Sequence, residues 1–386
     1  MTSNILKNFL PEQYEVNRKL QINHNYLHQQ FSDYEEILQK ISKVIRDGDF
    51  TLGSEVDLLE NEFALIAGTQ FAVGVGSGTD ALMLSLKALG IGPGDEVITT
   101  PYTFYATVGA IVTAGATPIF ADIGDDYNID PNLIESVVTP KTKAIVPVHW
   151  SGKPCDMDRI EAIAKKHHLF IVEDACHAVN ASYKGRPAGS LGDIGCFSFH
   201  PLKNLNVWGD GGIATTNSED LANQLRLLRN HGLVSRDECA IFAYNSRLDT
   251  IQAVVARHLL QKLSHITDSR IMNAAYFDLK LANIPQIKIP LRDKVIKQVF
   301  HLYIISCENR DELQKYLISY GVDAKVHYSI PMHLQPAAAS FGYKQGDFPV
   351  CEKTVSQVLS LPVHEFISQD QCARVVELIQ QFYGHK

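Results

Sequence analysis

Between about residues 70 and 215, short apolar runs alternate with stretches of helical periodicity. FAVGVG, DEVITT, TPIFADI, KAIVPVHW and LFIVEDA read as strands, and TDALMLSLKALG, YATVGAIVTAG and MDRIEAIAKKHH as helices between them. Strands this apolar need cover on both faces, so the alternation predicts a mainly parallel sheet wrapped by helices. Leu221, Leu225 and Leu228 then recur at spacings of four and three. They mark a helix begun by Asn217 or Ser218, closed near Gly232 and preceded by the strand GGIATT.

Past Asp249 the texture changes. A long helical tract, TIQAVVARHLLQKLSHITDSRIMNAAYFDLKLANI, leads to a β-rich run FHLYIISC, a helix at DELQKYLISYG and a last helix at SQDQCARVVELIQQFYG. Residues 1–50 are polar and helical, with Ile37, Ile41 and Ile45 on one stripe, and read as an arm that docks on a partner subunit or on the body. The expected organisation is a helical arm at 1–50, a large α/β domain at 51–248 and a smaller C-terminal α+β domain at 249–386. With 386 residues the chain is too long for one ordinary core.

Charge and cysteine usage narrow the function classes. Lys plus Arg is 35 against 43 for Asp plus Glu, a net −8, which argues against a nucleic-acid or anionic-membrane surface while leaving room for a local basic pocket. Seven scattered cysteines with no CxxC pair suggest reduced thiols, with neither a disulfide framework nor a zinc ribbon. The N-terminus MTSNILKNFLPEQYEVNRKL lacks the order of a secretion signal, and no stretch approaches the roughly 18 apolar residues of a membrane span. A soluble cytoplasmic protein is expected.

Two residues carry the sharpest chemistry. Lys203 follows the apolar run Ile194 to Phe199, and Asp174 ends the run LFIVEDA. An amine and a carboxylate, each at the carboxyl end of its own strand, are what pyridoxal phosphate needs for an imine bond and a partner to its ring nitrogen. Taken singly, either residue reads equally well as an exposed lysine or a helix-capping aspartate. Gly76, Ser77, Gly78 and Thr79 lie between a strand and a helix, where free N–H groups and a hydroxyl cradle a phosphate. A plain capped turn is the bland alternative. A dinucleotide fingerprint fits less well, because the third glycine falls one place early and Asp95 and Glu96 start a strand instead of ending one.

Supporting residues surround this pair. PYTFYAT offers Tyr102, Phe104 and Tyr105 to stack on a heteroaromatic ring, although aromatic runs at strand ends more often join a core. His177 of VEDACHA is placed to touch such a ring, and without an HxH or HxxxH spacing a metal site is set aside. Ser198, Gly209, Gly211 and Gly212 let hydroxyl and backbone approach a phosphate closely.

In this order and spacing, GSGTDAL, VEDACHA, FSFHPLKN, GDGG and NSRLD resemble the DegT/DnrJ/StrS group of pyridoxal-phosphate sugar aminotransferases, from about residue 35 to the end. GPGDEVITTPYTFYAT, RPAGSLGDIGCFSFHPLKN, VHYSIPMHLQP and LSLPVHE extend the likeness. The resemblance implies an aspartate aminotransferase-like fold (fold type I), with Lys203 carrying the coenzyme covalently and Asp174 pairing with its ring nitrogen. It places Gly78, Thr79 and Ser198 on the phosphate, Phe104 on the ring and His177 near the phenolic oxygen. Asn245 would reach the phosphate of the neighbouring subunit in a homodimer with sites at the interface, and His327 and Tyr328 would meet substrate.

The chain departs from the group's common pattern at His177, where Gln is frequent, at Trp208, where a small or hydroxyl residue is frequent, and in an N-terminal extension. Ping-pong transfer from L-glutamate to a keto or aldehyde sugar is expected, with Arg247 either clamping the donor carboxylate or forming a structural ion pair. A narrower likeness points to amination of an eight-carbon keto-sugar acid of lipopolysaccharide, giving 8-amino-3,8-dideoxy-octulosonate. The alternatives are a nucleotide-linked keto sugar, a sugar dehydratase (against which Lys203 argues), a non-catalytic coenzyme-binding regulator, and the disfavoured nicotinamide dehydrogenase.

Overall fold

The computed structural model describes residues 20–385. The alternating region forms one seven-stranded sheet from β1 (Phe71–Val75), β2 (Glu96–Thr99), β3 (Thr117–Phe120), β4 (Thr142–Ile145), β5 (Phe170–Asp174), β6 (Ile194–Ser198) and β7 (Gly212–Thr216). Their spatial order is β1-β7-β6-β5-β4-β2-β3. The pairs from β3 through β6 are parallel, whereas β7 runs antiparallel to both β6 and β1. That reversal has a local cause. Residues 199–211, which join β6 to β7, contain no helix to cross a sheet face and bring the chain back parallel. Ser198 pairs directly with Gly212, so this connection leaves and re-enters the sheet at one edge and holds Lys203 there.

The sheet is covered on both faces, as its apolar strands require. On one face Ala72, Phe197 and Ile213 join a core with Phe63 and Val254. On the other, Val73, Cys196 and Ala214 pack with Leu82, Leu84, Ile111 and Leu225. The helices that supply these groups are Gly78–Ala88, Tyr105–Ala114 and Glu219–Arg229, the last capped by the Ser218 hydroxyl. The first core continues past residue 248. Thr250–Leu260 buries Ala253, Val254, Val255, Ala256 and Leu259 against the helix Ser54–Ala67.

A second core gathers a three-stranded antiparallel sheet, with Tyr303–Cys307 between Ile287–Lys288 and Val358–Leu361, under the helices Leu263–Leu281, Arg310–Ser319 and Gln369–Phe382. The N-terminal segment docks on its own chain. Ile22 enters the second core, and the helix Tyr34–Asp47 buries Ile37, Ile41 and Val44 in the first. The expected stripe is corrected at its third position: Ile45 is 57% exposed and Val44 takes the core place. Eight residues overshoot two turns of 3.6 by about 80°, while seven fall within about 20° of the same line. The arm's residues 1–19 lie outside the described residues.

Candidate active site

Because β7 is antiparallel to both neighbours, β1, β5 and β6 point the same way, and their carboxyl ends meet at one sheet edge. Ligands of open α/β sheets bind there. After β1, the helix Gly78–Ala88 starts with the Ser77 hydroxyl accepting from the Asp80 N–H at 3.1 Å. The N–H groups of Gly78 and Thr79 therefore begin the helix with no acceptor inside it. Glycine is required sterically at this point: a Cβ on Gly78 would lie 2.6 Å from Ser198 Cβ and 3.0 Å from Cys176 Sγ, and one on Gly212 would lie 2.4 Å from the Ser77 carbonyl carbon. The absence of these atoms lets the positive helix end lie against the end of β6. Ser198 is buried there, and its Oγ accepts from the His200 N–H at 3.2 Å. The result is an anion cradle of backbone N–H groups and hydroxyls.

Asp174 ends β5, 6% exposed, with Oδ2 accepting from the Thr107 hydroxyl at 2.7 Å and Oδ1 from the Cys176 N–H at 3.2 Å. Thr107 is itself bonded to Thr103 at 2.6 Å, so the carboxylate is oriented from two sides. Glu173 points to the opposite sheet face, as strand alternation demands. It is fully buried and accepts from His149 and from the N–H groups of Gly189, Leu191 and Gly192, which fixes the loop leading into β6. Neither carboxylate is a solvent-facing cap.

Lys203 is part-buried, and burial lowers its pKa from the ordinary lysine value, with Cys176 and Asp174 opposing that shift. Leu202 before it holds φ +73°, a left-handed conformation that costs a branched residue free energy. The surroundings hold it in place: the Lys203 carbonyl accepts from Asn206 Nδ2 at 2.9 Å and from the Tyr26 hydroxyl at 3.5 Å.

A cavity of about 250 Å³ brings these residues together. Of the residues expected from sequence, Gly78, Thr79, Phe104, Asp174, His177, Ser198, Lys203, His327 and Tyr328 all line it. The Phe104 and Tyr328 rings are 5.6 Å apart. Asn245 and Arg247 do not line it. Asn245 is exposed, and Arg247 bridges backbone to Val75 and donates to Asn230 Oδ1 at 3.3 Å.

Sequence reasoning missed Tyr26, His24, Arg270, His301, Lys325 and His364, which also line the cavity. The His301 ring lies 4.3 Å from that of His177, tilted by 38°, and both rings carry a buried Nδ1 without a hydrogen-bond partner. Burial, reinforced by Lys203, pushes the His177 pKa well below the ordinary histidine value, and burial with His177 does the same to His301. Both are neutral imidazoles that keep donor or acceptor capacity for a ligand. The one His/carboxylate cluster of ligand-like spacing among the described residues, Asp33, Glu36 and His258, lies outside the cavity, and Lys262 already binds Asp33.

An amine of lowered basicity, an oriented carboxylate, a glycine-walled anion cradle and unpartnered imidazoles fit pyridoxal phosphate, and the comparisons agree. A model of the DegT/DnrJ/EryC1/StrS aminotransferase family matches residues 32–380. The chain is 41% identical to a UDP-N-acetyl-3-dehydro-alpha-D-glucosamine 3-aminotransferase of Acidithiobacillus ferrooxidans, over 90% of this chain and 94% of that protein. Among solved structures it is similar to S. venezuelae DesV in complex with a ketimine intermediate, with a TM-score of 0.91 at 39% identity, covering 95% of this chain and 98% of that one. It is also similar to Bacillus subtilis NtdA with bound cofactor PMP, with a TM-score of 0.88 at 31% identity, covering 99% and 91%.

The fold and site thus define a fold-type-I pyridoxal-phosphate enzyme. The chain belongs to the DegT/DnrJ/EryC1/StrS family and is a sugar aminotransferase. No helix among the described residues is long and apolar enough to cross a membrane.

Proposed function

We propose that this aminotransferase moves the amino group of L-glutamate onto a keto-sugar acid, giving 8-amino-3,8-dideoxy-octulosonate, in a cytoplasmic homodimer whose sites are shared. The observation that carries the transfer chemistry is the Lys203 amine, kept from full basicity by burial and sharing one cavity with Asp174. Pyridoxal phosphate, when bound, supplies an electron sink that acidifies the carbon–hydrogen bond beside a substrate nitrogen.

The remaining work falls to the chain. The Gly78 and Thr79 N–H groups and the Ser198 hydroxyl bind the phosphate at the positive end of their helix. Asp174, fixed by Thr107 and the Cys176 N–H, keeps a proton on the ring nitrogen. Lys203 Nζ would hold the group covalently and, once freed by the donor amine, would be the base that moves a proton between the donor carbon and the neighbouring position. Phe104 covers the ring face. His177, neutral, donates toward the phenolic oxygen without adding charge.

Asn245 supports the shared-site dimer, because it is exposed and lies outside its own cavity, as a residue that serves a neighbour's site would. Arg247 sits on the same strip and is assigned to that neighbour's donor carboxylate. Lys325, a cation on the cavity wall whose carboxylate partner Asp323 lies outside it, favours an acidic sugar. A second reading, a nucleotide-linked keto sugar, is favoured by the UDP-linked substrate in the name of the Acidithiobacillus relative.

The test is spectroscopic. Glutamate should bleach the yellow holoenzyme to its amine form, and the right keto sugar should restore the colour. Restoration by nucleotide-linked ketones and not by the free keto-sugar acid would reject the octulosonate, and resistance to bleaching would reject glutamate.

A further inference from the structure

The family match begins at residue 32, yet part of the cavity wall precedes it. The segment from Gln21 to Tyr26 is built into the fold. The N–H groups of Gln21 and Ile22 donate to the Gly321 carbonyl at 2.8 and 3.0 Å, and that of His24 donates to Asp323 Oδ2 at 3.0 Å. Ile22 is 5% exposed in the second core, and the Tyr26 ring stacks at 4.5 Å on His364. Anchored in this way, the segment puts the His24 and Tyr26 side chains into the cavity. The His24 ring comes within 6.1 Å of His327.

The charges on this wall are layered. Lys325 and Arg270 line the cavity, while their carboxylate partners Asp323 and Glu365 do not. Arg270 is committed: it bonds the Phe300 carbonyl, the Tyr26 hydroxyl and Glu365. Lys325 is held loosely. Its 3.4 Å separation from Asp323 is the longest ion pair among the described residues. An ammonium has three donors, so two remain for a ligand. Beside it His327 Nδ1 pairs with the Ser360 hydroxyl at 2.8 Å, and with that hydroxyl donating, its Nε2 N–H is left for another partner; His24 Nε2 N–H donates to the Ser360 carbonyl at 3.3 Å, so the Nδ1 of its neutral ring is left as an acceptor. Burial and the neighbouring Lys325 keep both rings neutral, with pKa values down to about 3. One inward-facing cation, its counter-ion behind it, and a flanking neutral donor on His327 suit a small anion with several acceptor atoms.

We propose that Lys325 and His327, backed by the His24 segment that lies outside the family match, form a subsite for a carboxylate of the incoming substrate. The source of that carboxylate rests on the reaction proposed above: ping-pong chemistry passes both substrates through one cavity, so it belongs to the donor's distal end or to the sugar acid.

The test titrates the holoenzyme by calorimetry with glutarate, a dicarboxylate that cannot react, and with 3-deoxy-octulosonate, a sugar acid. Lys325→Met should weaken the probe that the wild type binds by about tenfold or more, the loss of one charge-assisted contact. Lys325→Arg should recover most of that loss, and His327→Leu should weaken binding a few-fold. Retained coenzyme absorbance in each variant certifies folding. A loss confined to glutarate assigns the subsite to the donor, and one confined to the octulosonate assigns it to the sugar. Wild-type binding of neither probe, or unchanged binding of both by Lys325→Met, overturns the subsite. Glutamate bleaching reads the reaction separately: a holoenzyme that binds glutarate but resists bleaching sinks the proposed donor and leaves the subsite standing.

Discussion

Substituting Gly78 by alanine adds one methyl group at the tightest point of the site. The new Cβ would sit 2.6 Å from Ser198 Cβ and 3.1 Å from Ser198 Cα. Carbon atoms at optimal contact are about 3.5–4.0 Å apart, so the gap falls short by about 1 Å. The opposing atoms belong to the end of a fully buried strand and cannot swing aside, so the helix start or the strand end must move. Overpacking of this kind costs about 1–3 kcal/mol. The same displacement separates the Gly78 and Thr79 N–H groups from the Ser198 hydroxyl. If the cost falls wholly on the coenzyme-bound state, affinity drops by about five- to 150-fold. The assay is titration of coenzyme-free enzyme with pyridoxal phosphate, followed by absorbance, with thermal unfolding of the same samples. Gly109→Ala is the control, because Gly109 lies in the helix Tyr105–Ala114 with nothing within 4 Å of its would-be Cβ, and it should stabilise by about 0.5–1 kcal/mol. A Gly78→Ala enzyme with wild-type coenzyme affinity and wild-type melting temperature would refute the cradle.

Other perturbations read other parts of the account. Thr107→Val removes the hydroxyl that Asp174 Oδ2 accepts from, a contact to a charged group worth about 1.5–3 kcal/mol, and should slow glutamate bleaching by about ten- to a hundredfold while coenzyme stays bound. An unchanged stopped-flow rate would remove Thr107 from the machinery. Glu60→Ala strands the buried Arg229 guanidinium that Glu60 and the Gly74 carbonyl hold, and should cost about 3–5 kcal/mol in urea unfolding with little effect on residual kinetics. Acid should destabilise the fold through its buried imidazoles. His24, His327 and His364 have folded-state values of about 3, lowered chiefly by burial, against about 6.5 unfolded. Below pH 6.5 the unfolded chain binds more protons, so stability is present above that value and is lost toward pH 3, at about 1 kcal/mol per pH unit for each group. A urea midpoint that stays flat from pH 7 to pH 5 would contradict this.

The sheet was legible because its strands are continuous apolar runs separated by strongly periodic helices, and the phosphate cradle because glycines and a capping hydroxyl sit between a strand and a helix. The direction of β7 was not legible, since GGIATT carries no sign of polarity and the reversal depends on the helix-free connection that precedes it. Asp174 stood out because it closes an apolar run, and Lys203 because it follows one by four residues. His24, Arg270 and His301 had no such marker: His24 reaches His327 only after the N-terminal segment docks on the second core, and His301 lies inside FHLYIISC, a run that reads as an ordinary strand. Ile45 was misplaced by reading strict four-residue spacing where the helix turns every 3.6. Arg247, chosen for its motif, lies beside Val75 outside its own cavity, a placement that only the fold could supply.

The central claim is that the Lys203 amine is the covalent attachment point of the coenzyme and is released by the amino donor. The measurement is borohydride reduction of the yellow holoenzyme, before and after glutamate, followed by peptide mass mapping. The account predicts coenzyme fixed to Lys203 before glutamate and absent from it afterwards. Coenzyme fixed to a different lysine, or to Lys203 equally in both samples, would contradict it.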